Sequence, residues 1–269
     1  MHPILTPLIA LVSLIAVADS RVQADDVATQ VADESESLKR ALQYLVESEQ
    51  DGATVVLELA RRSVFNWSNP VFGTTHGAVY LWTQGERPVV AMKTYRTKNG
   101  RWFEQWRSLS EERIRARPGK DASPFWRPMA TAEPMRPLPQ VPTVPANDRQ
   151  RLLQMKAIQR SLTIKADIVN AGGTQTLRPL PTPLFRYNTD SVVDGAVFAF
   201  AQEASPEVLL IVEARANEQT TRWYYRLASI GIVAVTAEID GQSVWSEPRR
   251  TAQTTRPTDL YDGRRLPAD

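Results

Sequence analysis

The segment Gly77–Leu109 returns, diverged, as Gly195–Ile230. Gly77-Ala78-Val79 matches Gly195-Ala196-Val197 at a spacing of 118 (195 − 77), and Gln84 and Pro88 match Gln202 and Pro206 at the same spacing. Val89 and Arg96 match Val208 and Arg215 at 119, and Arg101-Trp102 with Ser108 match Arg222-Trp223 with Ser229 at 121. The spacing lengthens by one between Pro88 and Val89 and by two more at the Thr97–Gly100 turn, where insertions cost little. A chain built this way must fold as two copies of one unit, each burying its own apolar faces or sharing them with its twin.

The signals for local structure divide both copies alike. Asp25–Arg62 reads as helical and acidic. Leu38, Ala41, Leu42, Leu45 and Val46 recur at helical spacing, Asp51-Gly52 interrupts them, and Val56, Leu57 and Ala60 resume the pattern with Asp51 as N-cap. Val64–Trp67 reads as a short strand stopped by Asn69-Pro70. Gly77–Thr83, Pro88–Tyr95 and Arg101–Leu109 are rich in β-branched and aromatic residues, and their short links favour an antiparallel meander. Arg113–Arg117 and Phe125-Trp126 form a last hairpin. In the second copy a helix is expected over Asn147–Val169, capped by Asn147 or Asp148. A strand at Leu184–Tyr187, a meander of Gly195–Ala201, Val208–Ala214 and Arg222–Ala228, and a hairpin around Asp240-Gly241 follow.

The expected fold class is therefore α+β: two sequence-related repeats, each a helix packed on an antiparallel β-meander, related by a pseudo-twofold axis. Residues 1–24 read as a signal peptide, 25–129 as the first α+β repeat and 147–248 as the second. Prolines at 134, 137, 139, 142 and 145 make 130–146 an extended linker. Polar residues 249–269 read as a disordered tail.

Ile4–Ala18 is an apolar run too short to span a bilayer, and Val22-Gln23-Ala24 offers a small-residue cleavage site. An exported chain, periplasmic or extracellular, with no transmembrane span once mature, is expected. There is no cysteine, hence no disulfide framework and no lipoprotein cysteine. A net charge of +2 gives no reason to expect nucleic acid as a partner.

Several stretches resemble exported planctomycete-type bacterial proteins of unknown function. They are Trp67-Ser68-Asn69-Pro70, His76–Trp82, Leu177–Tyr187, Asp194–Phe200 and Pro206–Arg215. The resemblance spans most of the mature chain. It implies export and a common fold, and it implies no activity.

Catalytic chemistry is sparsely supplied. Past residue 24 there is one histidine, His76, so a usual His/Cys zinc site and a Cys–His nucleophile pair are both excluded. No G-x-S-x-G elbow, phosphate-binding glycine loop or EF-hand pattern occurs. Asp190 with Asp194, or Asp259 with Asp262, could contribute oxygen ligands to calcium. His76 and Asp194 hold equivalent places before the Gly-Ala-Val strand, and a twofold arrangement would let them approach as a proton-transfer pair. Trp102 and Trp223, also equivalent, are core aromatics or a platform for a sugar or base. Alternation puts Trp102, Glu104 and Trp106 on one face of their strand and Phe103, Gln105 and Arg107 on the other.

No catalytic residue, metal or cofactor is assigned. The expected function is an exported non-catalytic binding or structural module, working on another envelope or secreted protein. Its binding candidates are His76, Asp194, Trp102 and Trp223. The alternatives are a pocket protein for a small molecule or glycan, and a hydrolase using carboxylates such as Glu104 with Glu203 or Glu213.

Overall fold

Period-two alternation rules two segments that helical spacing misreads. The structure, a computed structural model, describes residues 28–60, 62–138, 142–168, 172–216, 220–251, 256, 258–259 and 261–266. The signal-peptide expectation for residues 1–24 lies outside the described residues. Helix α1 covers 28–42 and stops there. Tyr44–Gln50 is strand β1, which turns at Asp51-Gly52 into β2 (Ala53–Val56). Asp51 (φ 49°) and Gly52 (φ 79°) are both left-handed, as a two-residue hairpin turn requires, so Asp51 turns a hairpin and caps no helix. The second helix, α2, spans Asp148–Ser161, with the Asn147 side chain accepting from the amides of Arg149 and Gln150. It ends eight residues before the expected Val169 (169 − 161). Leu162, Ile164, Ala166 and Ile168 alternate inward along a strand instead.

In the first half, β3 (Glu58–Leu59), β4 (Phe65–Asn69), β5 (Thr74–Gln84), β6 (Arg87–Thr97), β7 (Trp102–Ser108) and β8 (Arg113–Pro118) follow β2; β9 (Arg136–Pro137) lies in the linker. After α2 come β10 (Leu162–Ile168), β11 (Gly173–Thr176), β12 (Arg178–Pro179), β13 (Phe185–Thr189), β14 (Val192–Gln202), β15 (Ser205–Ala216), β16 (Thr221–Ser229), β17 (Ala234–Ile239) and β18 (Gln242–Glu247). Tyr261–Arg265 forms β19, which pairs antiparallel with β7, so this part of the expected tail is an ordered strand.

Each half carries two antiparallel sheets. The first half has an outer sheet ordered β2-β1-β8 and an inner sheet ordered β19-β7-β6-β5-β3. The second has an inner sheet β12-β14-β15-β16-β9 and an outer sheet β11-β10-β17-β18. Three cores separate the layers. Tyr80, Trp82, Met92 and Trp106 of the first inner sheet pack on Tyr44, Val46 and Ile114 of its outer sheet and on Ala41 of α1. Phe198, Phe200, Leu210 and Trp223 pack likewise on Ile164, Val235 and Met155 of α2. Between the inner sheets, Val79, Leu81 and Ala91 meet Val197, Ala199, Leu209 and Ile211. The inner strands are thus covered on both faces, which is why β15 reads as a nearly unbroken apolar run.

The repeated residues do local work that this layering explains. Thr83 pairs with Pro88 after a shift in register, and Ala201 pairs with Pro206 after the same shift. A proline cannot donate to the ladder, and a bulge accommodates it in both copies. Gly77 faces Trp67 across β4–β5, and Gly195 faces Tyr187 across β13–β14. A Cβ on Gly77 would fall inside the Trp67 indole, and one on Gly195 would come within 2.6 Å of the Tyr187 ring. The glycine of the Gly-Ala-Val motif is the seat for that aromatic.

The expected α+β class is overturned. Strand takes 55% of the described residues and helix 14%, so the fold is mainly β. The unit is not a helix on a meander. Strands β1, β2 and β10, hidden in sequence inside what read as helix, join the expected hairpin strands β8, β17 and β18 in outer sheets that cover the meanders, and the helix only completes that outer layer. Among the described residues no helix is long and apolar enough to cross a membrane.

Candidate functional site

The four sequence candidates all lie beneath the helices. His76 Nε2 stands 3.2 Å from Ser37 Oγ of α1, and Ser37 Oγ shares a 2.8 Å hydrogen bond with the Tyr80 hydroxyl. Trp102 packs edge-on to His76 with ring centroids 6.1 Å apart, and Arg40 of α1 lies over its ring at 5.2 Å. In the second half, Arg151 Nε of α2 donates to Asp194 at 2.9 Å, and Arg186 grips the same carboxylate. Trp223 Nε1 donates to Gln154 of α2 at 2.8 Å. His76 and Asp194 therefore do equivalent work, each docking its own helix. The core between the inner sheets keeps them apart, and the twofold approach expected of them does not occur. Trp102 and Trp223 are buried core aromatics, and none of the four lines a described cavity.

The Ser37–His76 spacing suits a base and a hydroxyl nucleophile. Burial pushes the imidazole below its ordinary pKa against the pull of Asp33 and Glu34, so it is neutral. Ser37 is wholly buried, however, and no described cavity reaches either group. The internal duplication acts as a control here: Asp194 fills the place of His76 and Met155 that of Ser37 (37 + 118), so the hydroxyl–imidazole pair is not kept in the second copy.

The carboxylates do not pair for hydrolysis. Glu104, fully buried, accepts from the Tyr44 hydroxyl through both oxygens (3.0 and 2.8 Å) and from Trp106 Nε1 (3.3 Å). Burial raises its pKa, opposed by those hydrogen bonds and by Arg264 and Arg40. Glu213 lies in another layer, held by Arg87, Arg215 and Tyr187. Burial works to raise its pKa, but the guanidiniums and the phenol outweigh that and hold it below the ordinary value. Glu203 sits in the left-handed turn between β14 and β15. No cluster of three or more His, Asp or Glu suited to a metal occurs among the described residues, and Asp194 is already engaged by two arginines.

A different site forms where the halves meet. Alternation along β7 turns Arg107 to the opposite face from Trp106, and β19 then sets Tyr261 across from Arg107. Alternation along β16 sends Arg226 toward the first half. There it donates to the Leu109 carbonyl and to Glu111. Arg107 reaches the other way, with a bidentate grip on Glu247 of β18 (3.1 and 2.6 Å). Arg250 holds the same Glu247 and stacks over the Tyr261 ring at 4.7 Å. These groups wall a cavity of about 630 Å³, the largest among those described, whose remaining wall includes Met129, Ala132 and Leu227.

The wall carries charges of both signs. Burial works to lower all three guanidinium pKa values. Glu133 and Tyr261 oppose burial at Arg107, Glu111 opposes it at Arg226, and Tyr261 and Asp259 oppose it at Arg250, without outweighing it. Glu133 and Asp259 line the same wall and act on Arg107 and Arg250 respectively, so Glu247 is not the only carboxylate facing them. Arg107 Nε, Arg226 Nε, Arg250 Nη1 and the Tyr261 hydroxyl have no protein partner although they are buried. Each such donor costs about 1–3 kcal/mol while it stays unpaired.

No family model matches this chain, and neither a curated protein nor a solved structure matches it.

Proposed function

We propose that this chain is an exported, non-catalytic binding module, and that a small molecule occupies the cavity where its two halves meet. One observation carries the reading: both halves send charged side chains into the wall of a single cavity of about 630 Å³ with an apolar side. A concavity with an apolar side and a few converging polar groups is where a small molecule is best held. Export is inferred from the apolar run Ile4–Ala18 and the cleavage site before Asp25, and the resemblance to exported proteins supports it.

Native mass spectrometry of the protein purified gently from its own cells tests both parts. The expected result is a chain beginning near Asp25 that carries an added small mass, lost on denaturation. An Ala132→Trp variant, which fills the cavity, should lose that mass while staying folded. A wild-type chain without added mass would contradict the pocket, and retention of residues 1–24 would contradict export.

A further inference from the structure

We infer that the two halves are partners in the manner of a dimer. Each repeat ends in an arm that clasps a second copy of the repeat unit, here the other half of the same chain, and these exchanged arms hold the halves together without the peptide connection between them. The clasp does not depend on what the cavity holds.

The arms are themselves repeated. Arg136-Pro137-Leu138-Pro139 follows the last hairpin of the first half, and Arg264-Arg265-Leu266-Pro267 follows that of the second, at a spacing of 128 (264 − 136). Both pair in one register with equivalent strands: Arg136 lies opposite Tyr225 of β16, and Arg264 opposite Glu104 of β7, positions 121 apart (225 − 104). The Leu138 amide donates to the Trp223 carbonyl at 3.0 Å, and the Leu266 amide donates to the Trp102 carbonyl at 3.1 Å. The first arm is still tied to its own half at Ala132, whose amide donates to the Ser110 carbonyl, and it then crosses to close the second inner sheet as β9. The second arm crosses the other way and closes the first inner sheet as β19. Each passes over the same edge in its own half. They touch on the way, where the Met129 amide donates to the Thr258 carbonyl at 2.9 Å. Both are anchored in the half they reach: Trp126 Nε1 of the first core donates to the Asp259 carbonyl at 2.8 Å, and Arg136 donates to the Val244 carbonyl at 2.7 Å. Without the arms, β7 and β16 would be bare edges with unpaired backbone groups. Reciprocal contacts between like units, with one element exchanged, are those of a twofold dimer.

Sites for two different proteases, built into the full chain between Ala130 and Thr131 and between Pro142 and Thr143, test the clasp. Cutting at the second site alone leaves the first arm attached to its own half. The halves should then stay a one-to-one pair at micromolar concentration in native mass spectrometry, and the melting temperature should now rise with concentration. Cutting at both sites frees segment 131–142 from both halves. The pair should then dissociate at about tenfold or more higher concentration, and an excess of the 131–142 peptide should restore it. Leu138→Pro, which removes the amide donated to Trp223, should weaken the once-cut pair in the same direction; if the site at Ala130 disturbs folding of the uncut chain, this variant carries the test. Halves that part after the single cut overturn the clasp. So does a pair equally tight after one cut and after two, or a once-cut pair indifferent to Leu138→Pro.

Discussion

Glu104 and His76 share one layer, between the first inner sheet and the helix and sheet that cover it, and burial moves them in opposite senses. The Glu104 carboxyl is raised above its ordinary 4.5. Its contribution to stability is therefore fully present below that value and is lost as pH rises through the folded pKa. The His76 imidazole is lowered below 6.5. Its contribution is present above 6.5 and is lost as pH falls through the folded pKa. Replacing each by its neutral amide should separate the two. Relative to wild type, Glu104→Gln should gain stability in denaturant titrations as pH climbs above 4.5. His76→Gln should instead gain as pH drops below 6.5. A Glu104→Gln penalty that does not vary with pH would mean that burial does not favour the protonated carboxyl there.

At the scale of elements, β19 has the most to lose from a change of conditions. It is the edge strand that closes β7, and it carries Tyr261 of the cavity. Asp262, opposite Trp106 in that pairing, is pushed up to about 6, chiefly by burial and secondarily by Asp259, with Arg264 opposing. Its share of the docking energy is present below the ordinary carboxyl value of 3.8 and fades as pH rises through about 6. Amide exchange in β19 and along β7, corrected for intrinsic rates, should show protection falling from pH 5 to 7 in wild type, and Asp262→Asn should remove that fall. The elements also show what the chain discloses by itself. The meander strands are legible because their β-rich runs end at turn residues, and Asp240-Gly241 is legible as a hairpin. The same dipeptide at Asp51-Gly52 reads as a helix cap because the spacing of Leu38 through Val46 runs through β1 without a break. β10 hides in the same way, since Leu162 and Ala166 are four apart and fit either period. The four candidates beneath the helices stood out because they are rare or repeated residues, and the duplication that made them visible reflects shared helix docking. The cavity gave no such signal. Arg107, Arg226, Arg250 and Tyr261 come from β7, β16, the chain after β18 and β19, and no spacing in the sequence brings those four places together.

At the scale of the molecule, everything said of the cavity depends on the two inner sheets lying face to face. Apolar side chains fill the middle of that junction. Near its edge, Lys93 of β6 donates to Glu207 of β15 at 2.9 Å, with both side chains at least nine-tenths buried. A pair so enclosed is stable only as a pair, because removing one partner strands the other's charge away from water. A double-mutant cycle across it is the most direct test of the four-layer arrangement. Lys93→Met and Glu207→Gln should each cost about 3–5 kcal/mol of unfolding free energy. The double variant should cost far less than their sum, giving a coupling well above the roughly 0.5 kcal/mol at which distant sites add. Strictly additive costs would mean that the two strands do not meet, and with them would go the junction and the cavity it encloses.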